Sequence, residues 1–191
     1  MAEQRKHQRV RFVRDPSVRI RQGGTGSKGA LENLSLGGLQ LRCATPLALQ
    51  ASACVELRLP GSGLLELSVR IVSRVGECYG ARFIPGPLSE ALLRLAIQQG
   101  LANGQAASLA VKELGGRRVM HVVGCLGSKL GADFQFALNA GVGEIDLSGV
   151  TAIDAAGIGL CRQAQQGGRA SIVRPSACVR VALGEAESTF P

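Results

Sequence analysis

Apolar and polar residues alternate along several short segments in the first hundred residues of the chain. This two-residue period is typical of strands that bury one face. The segments cover residues 18–21, 39–42, 54–59, 64–75 and 80–84. Proline and glycine separate them, and Pro60-Gly61-Ser62-Gly63 has the composition of a hairpin turn. Several short strands at this spacing predict a small antiparallel β-barrel.

The segments around these strands have different patterns. Residues 1–17 show no apolar period and are interpreted as a basic arm, and residues 22–29 as a glycine-rich hairpin loop. After the barrel, Ser89 and Glu90 begin a helical spacing of apolar residues, which predicts a helix that ends at Gly100 or Gly104. Residues 98–107 are then the predicted linker between two domains, 1–104 and 105–191.

In the second half, strand patterns alternate with helical ones. Strands are predicted for 108–114 and 118–125, with a short strand at 144–147 that turns at Ser148-Gly149, and another at 170–173. Helices are predicted for 128–139, 155–166 and 176–183. Asp154 has the position of an N-cap for the second helix. The alternation predicts an α/β domain with a mixed or parallel sheet covered by helices.

The formal net charge of +8 is concentrated in the first half of the chain. Residues 1–104 contain 14 basic and 7 acidic residues, and residues 105–191 contain 8 and 7. A basic cluster indicates an anionic partner such as phosphate, nucleic acid or an acidic membrane surface, or else a solvated tail. Nucleic-acid binding through residues 1–28 is disfavoured because Phe12 is the only aromatic residue available there to stack on bases.

No pattern of catalytic or metal-binding residues is recognisable. The six cysteines form no C-x-x-C pair and lie among apolar residues, so we expect small buried side chains in a reduced, cytoplasmic protein. The N-terminus has no secretory pattern, and no apolar run is long enough to span a membrane. His7 and His121 lie in no nucleophile–base arrangement. We therefore expect no enzyme activity, no metal and no cofactor.

One polar stretch precedes the strand at 39–42. Asn33 and Ser35 are residue types that hydrogen-bond locally and form turns. Gly37 and Gly38 permit unusual backbone angles and the close approach of a ligand. Upstream, Arg5-Lys6-His7-Gln8-Arg9 presents two guanidinium groups, which bind phosphate and stack on bases.

Arg5 and Arg9, followed by Asn33, Ser35 and Gly38, match the pattern R-x-x-x-R … [D/N]-x-S-x-x-G. This part of the chain resembles the PilZ domains, which bind cyclic di-GMP. The resemblance implies that the two arginines grip phosphates and guanine faces, that Asn33 and Ser35 bind guanine edges, and that Gly38 leaves room for the ligand. It extends to about residue 104.

Residues 144–160 contain the pattern D-L-S-x-V-x-x-I-D-x-x-G-[IL]-x-L, which resembles STAS domains, the family of anti-sigma-factor antagonists. In that family the residue after the second aspartate is often a phosphorylated Ser or Thr. Ala155 occupies this position and has no hydroxyl group to phosphorylate. Asp154 also has the simpler interpretation of a helix cap. The resemblance, over residues 107–190, implies a module for docking or dimerisation without a phosphorylation switch.

The two resemblances together imply an effector in which binding of cyclic di-GMP to the barrel alters a protein–protein interaction. The protein partner contacts the STAS-like half, and a homodimer is one possible form of this contact. The alternative is a scaffold that binds no nucleotide and uses both domains as interaction surfaces.

Overall fold

The computed structural model describes residues 8–184 except Gly61, Pro85, Gly167 and Arg169. The described residues divide between Gly100 and Leu101 into two compact units. Within the described part of the chain, no helix is both long and apolar enough to cross a bilayer.

The first unit consists of strands followed by a helix. Its elements are β1 (Val10–Phe12), β2 (Ser17–Gln22), β3 (Thr25–Ser35), β4 (Gly38–Arg42), β5 (Ser52–Arg58), β6 (Leu64–Val75), β7 (Cys78–Phe83) and α1 (Pro87–Ala102). Strands β2–β7 form a closed antiparallel ring in the order β2-β3-β4-β7-β6-β5, with β5 returning to β2. Strand β1 pairs with β3 outside this ring. The predicted small antiparallel barrel with a C-terminal helix is therefore confirmed.

The barrel closes because each strand buries alternate side chains. In β6, Leu65, Leu67, Val69 and Ile71 point inward and are at most 6% exposed, while the residues between them face solvent. The interior is mostly aliphatic, and Tyr79, the only tyrosine of the chain, is fully buried in it. Its hydroxyl oxygen accepts a hydrogen bond from the backbone N–H of Leu47 at 3.3 Å, so the polar end of the ring is satisfied.

Two predicted loops are partly strand. The segment interpreted as an arm contains β1, in which Val10 and Phe12 are buried on either side of Arg11. A strand of this length is too short to show a two-residue period in the sequence. The segment interpreted as a hairpin loop turns only at Gly23 and Gly24, which have φ values of +56° and +81°. Two consecutive positive φ angles suit a two-residue hairpin loop, and β3 therefore begins at Thr25.

Helix α1 continues to Ala102, so the connection to the next strand is shorter than predicted. The side chains of Leu93 and Ala96 are buried, whereas Leu92 and Leu95 are 45% and 50% exposed. The buried face of α1 is thus narrower than the number of its apolar residues predicts.

The second unit alternates strands and helices. Its elements are β8 (Ala106–Leu114), β9 (Arg117–Leu126), a short 3-10 helix (Ser128–Leu130), α2 (Gly131–Asn139), β10 (Glu144–Ile153), α3 (Ala155–Gln166), β11 (Ser171–Val173) and α4 (Ala177–Leu183). Strand β8 is antiparallel to its neighbour β9. Strand β10 lies between β9 and β11 and is parallel to both. The sheet is mixed, as predicted. Strand β10 continues through Ser148 and Gly149 with a register shift, where a turn was predicted.

One apolar cluster joins the sheet to the helices of this unit. Phe134 from α2, Cys161 from α3 and Val179 from α4 pack with Met120 and Leu147 of the sheet, and all five are fully buried. Asp154 caps α3 as predicted, because its Oδ1 accepts a hydrogen bond from the backbone N–H of Gly157 at 2.8 Å.

Helix α3 approaches the sheet so closely at Gly157 that no side chain fits there. A Cβ at this position would lie 2.1 Å from the carbonyl oxygen of Leu126. We expect Gly157→Ala to lower the free energy of unfolding by about 1–3 kcal/mol, because backbone has to move to relieve the clash.

Gly159→Ala is the matched control, since Gly159 lies on the same helix with nothing within 4 Å of the added Cβ. Its alanine variant is expected to be neutral or slightly stabilising, because alanine is the better helix former. Urea unfolding of both variants measures the difference, and equal stabilities would contradict the close packing of α3.

Candidate ligand-binding site

The β3–β4 hairpin turns through Leu36 and Gly37, with Ser35 paired to Gly38. Neither turn residue has a positive φ, so the turn is not one of the types that best match strand twist. The Ser35 hydroxyl closes it instead: it donates to the carbonyl oxygen of Gly38 at 3.1 Å and accepts from the N–H of Gly37 at 3.3 Å. Ser35 thus shapes the turn in the absence of any ligand.

Gly38 is required by strand packing and not by an unusual backbone angle. The expectation of unusual angles at Gly37 and Gly38 is wrong in one respect, because neither has a positive φ. A Cβ on Gly38 would lie 2.2 Å from the carbonyl oxygen of Ala81 on β7. On that strand Arg82 is the direct neighbour of Gly38. Gly38 adds no side chain of its own to the barrel surface at this point.

Asn33 is held by a cross-strand partner that the motif does not include. It pairs with Gln40 of β4, and its Nδ2 donates to the Gln40 Oε1 at 2.8 Å. This bond engages the amide nitrogen of Asn33, and the carbonyl oxygen of the same side chain remains as an acceptor of hydrogen bonds. Asn33 is only 4% exposed, which means that neighbouring residues have to shift before a ligand contacts it.

Sequence reasoning missed Gln40, although a signal was present. A two-residue turn between Ser35 and Gly38 places Asn33 opposite Gln40, because antiparallel partners are equidistant from the turn. Gln40 also lies between two inward leucines and therefore faces outward.

Arg9 lies beside this hairpin. It is exposed and precedes Val10, whose partner on β3 is Leu34. Antiparallel register then sets Arg9 next to Ser35 at the same end of the two strands. The other predicted arginine, Arg5, lies outside the described residues. The structure thus gathers Arg9, Asn33, Ser35 and Gly38 around one hairpin turn.

A separate polar cluster in the second unit centres on Asp146, which is 4% exposed. Its Oδ2 accepts from the Arg174 guanidinium and lies 3.0 Å from Nδ1 of His121, and its Oδ1 accepts from the N–H of Ser148 at 3.0 Å. Burial raises the pKa of Asp146, but the hydrogen bonds from Ser148 and the charges of Arg174 and His121 outweigh this and hold the pKa below its ordinary value. The cluster ties β9 and β10 to the segment after β11, which is a structural role for His121.

Comparison with protein families finds one match, to the model described as "PilZ domain", over residues 3–99. Among curated proteins, no sequence matches at a significant level.

Three solved structures illustrate the similarity. The PilZ domain of YcgR with c-di-GMP from Escherichia coli is 18% identical, with a TM-score of 0.45, over 51% of this chain and 91% of that chain. The PilZ domain of CeSA from a cellulose-synthesizing bacterium is 19% identical, with a TM-score of 0.40, over 48% and 95%. The Bacillus subtilis inhibitor of motility, MotI/DgrA, is 20% identical, with a TM-score of 0.41, over 52% of each chain.

We expect Gly38→Ala to destabilise the barrel by about 1–3 kcal/mol, because the new methyl group meets the backbone of β7. Gly26→Ala is the control: Gly26 lies on β3, has no atom within 4 Å of an added Cβ and has no positive φ. Denaturant unfolding should show a change within about 0.5 kcal/mol for this control. Equal changes in the free energy of unfolding for the two substitutions would contradict the inference that Gly38 is required for packing against β7.

We expect Asp146→Asn to lower stability at pH 7 by about 1–3 kcal/mol, the usual worth of hydrogen bonds to a charged group. Because the pKa of Asp146 is lowered by folding, its carboxylate stabilises the protein above the unfolded pKa of about 4, and this stability is lost as the pH falls through the folded pKa. Unfolding curves of wild type and variant should therefore converge below about pH 4.

Glu113→Gln, which neutralises an exposed carboxylate on β8, controls for the loss of one negative charge. A stability difference between wild type and Asp146→Asn that persists undiminished at acid pH would contradict the assigned ionisation.

Proposed function

Because the chain belongs to the PilZ domain family through residues 3–99, we propose that it is a cyclic di-GMP receptor whose ligand binds at the β3–β4 hairpin. The observation that carries this proposal is the position of Arg9, which β1 sets beside Ser35 through the pairing of Val10 with Leu34. A guanidinium and a polar turn that are far apart in sequence are thus adjacent on the barrel surface.

In the proposed complex, Arg9 contacts a phosphodiester of the ligand and stacks on a guanine. A guanidinium suits both contacts, because it is planar, always charged and able to donate two parallel hydrogen bonds. Arg5 is proposed as its companion on the phosphates. Arg9 is exposed on the surface of the barrel.

Asn33 and Ser35 are proposed to bind guanine edges. The hydrogen bond from Asn33 to Gln40 directs the free carbonyl oxygen of Asn33 toward incoming donors. Guanine presents such donors at its N1 and N2 positions, and a bound amide oxygen accepts from them as a carboxylate would. The buried state of Asn33 means that ligand binding displaces its neighbours, which couples binding to a local change of surface.

The second unit is proposed as a STAS-like module that docks a protein partner or a second copy of the chain. Support comes from its mixed sheet, from the helices that share one core with it, and from α3, which begins directly after Asp154 as the motif implies. Ala155 is exposed in the first turn of α3 and has no hydroxyl group, so the interaction is proposed to be independent of phosphorylation there. Cytoplasmic location and the absence of catalysis remain predictions from the sequence.

The alternative proposal is a scaffold in which the barrel binds no nucleotide. Two observations allow it: Asn33 is buried, and Ser35 and Gly38 have structural roles of their own in the hairpin. Titration with the nucleotide separates the two proposals.

We expect isothermal titration calorimetry to show binding of cyclic di-GMP and no comparable binding of GMP. Arg9→Ala removes a charge-assisted contact worth roughly 1.5–3 kcal/mol and should weaken binding about tenfold to a hundredfold. Arg58→Ala, which removes an exposed arginine from β5, is the matched control and should bind as wild type does.

No heat and no thermal shift with the wild type would reject the receptor and favour the scaffold. Binding that is equally strong in Arg9→Ala would show that the receptor uses another surface. Steeply salt-dependent binding of random DNA, insensitive to cyclic di-GMP, would instead indicate a nucleic-acid-binding protein.

A further inference from the structure

Four residues on neighbouring strands form one row across the outside of the barrel. Ser35 on β3 pairs with Gly38 on β4, Gly38 pairs with Arg82 on β7, and Arg82 pairs with Arg70 on β6. We refer to Ser35, Gly38, Arg82 and Arg70 as the cross-strand row. It begins at the proposed ligand site and continues over two strands that carry no residue of the motif.

The row ends in two like charges that face each other. Arg82 and Arg70 are both exposed and are direct cross-strand partners. Like charges in this arrangement repel and destabilise a sheet. Within residues 8–184, apart from the four that the structure does not describe, neither arginine forms an ion pair or a side-chain hydrogen bond.

Two other arginines on the same barrel are neutralised. The Nη2 atom of Arg21 lies 2.9 Å from Oε1 of Glu56 and 3.0 Å from Oε1 of Glu66. The Nε atom of Arg42 lies 2.8 Å from Oε1 of Glu32. The hydrogen bond to Cys54 and the charges of Glu56 and Glu66 raise the pKa of Arg21, and the hydrogen bond to Glu32 and its charge raise the pKa of Arg42. Within the described residues, the pair in the cross-strand row has no such acidic partner.

We propose that Arg82 and Arg70 bind a phosphate of the cyclic dinucleotide and extend the site from the hairpin across β7 and β6. The inference rests on the proposed function. It adds a second cationic contact, formed by residues outside the motif, to the one formed by Arg9.

Distances along the row suit this assignment. Neighbouring strands lie about 4.8 Å apart, so the Cα atoms of Arg82 and Arg70 are about 5 Å and 10 Å from that of Gly38, within reach of a long side chain. Arg9 lies on the opposite side of the hairpin, beside Ser35. Positive charges therefore flank Gly38 on both sides.

The ligand carries two negative charges, which match the positive charges on the two sides of Gly38. A cyclic dinucleotide is a ring with two phosphodiesters at opposite positions, each carrying one negative charge. Arg9 would bind one phosphodiester while Arg82, assisted by Arg70, binds the other. An anion at this position also relieves the repulsion between the two arginines, which adds to the favourable free energy of binding.

The test is calorimetric titration of the full chain with cyclic di-GMP, using Arg82→Gln, Arg70→Gln and Arg82→Lys in parallel with Arg9→Ala. Loss of a charge-assisted contact should weaken binding about tenfold in Arg82→Gln, with a smaller loss in Arg70→Gln. Arg82→Lys should be intermediate, because lysine keeps the charge but not the planar fork.

Arg58→Gln is the matched control, since it removes one exposed positive charge from the same barrel. It lies six residues along β5 from Ser52, the strand partner of Arg70, or about 20 Å away. Its binding should equal that of the wild type. Thermal unfolding without ligand completes the set: Arg82→Gln and Arg70→Gln should melt no lower than the wild type, because they remove a repulsion.

The outcomes separate the two levels of the proposal. If Arg9→Ala weakens binding while Arg82→Gln and Arg70→Gln bind like wild type, the extended site is overturned and the receptor stands. A loss of affinity in Arg58→Gln equal to that in Arg82→Gln would also overturn it, because net charge alone would then explain the effect. Absence of binding by the wild type overturns both.

Discussion

The closed barrel depends on a close approach of two backbones at Gly38. Strand β4 pairs there with β3 on one side and with β7 on the other, and the carbonyl oxygen of Ala81 occupies the space that a Cβ would need. A larger residue would separate β4 from β7 and open the ring. Ser35 and Arg82 are the strand partners of this glycine on its two sides. One packing requirement thus closes the barrel at the hairpin where the ligand is proposed to bind.

Local hydrogen bonds order the β3–β4 hairpin. Ser35 closes the turn, and Gln40 fixes the amide of Asn33. Arrangements that exist before binding reduce the ordering cost that the ligand has to overcome. The arginines contribute in the opposite way, because Arg82 and Arg70 repel each other until an anion arrives. The proposed site therefore combines a hydrogen-bonded polar hairpin with two arginines that repel each other.

Much of the architecture followed from patterns that act within a few residues. Alternation in β6 and the glycine–proline turns predicted the barrel, and alternating strands and helices predicted the mixed sheet of the second unit. The errors occurred where a short segment depends on a distant partner. Strand β1 exists because Val10 pairs with Leu34, and β10 passes through Ser148 and Gly149 because it resumes its pairing with β9 at Gly149. Periodicity in a single segment contains no information about such partners.

By itself, the sequence determined the elements, their inward faces and the residue types of the motif, because hydrophobic period, turn chemistry and capping operate over short distances. It predicted Asn33, Ser35, Gly38 and Arg9 as a set, but not what each touches. Only the tertiary structure decided that Gly38 is needed for packing and that Gln40 holds Asn33. It also placed Arg82 and Arg70 next to each other, in line with the hairpin. These facts depend on strand register, which is fixed when distant strands pair and the ring closes.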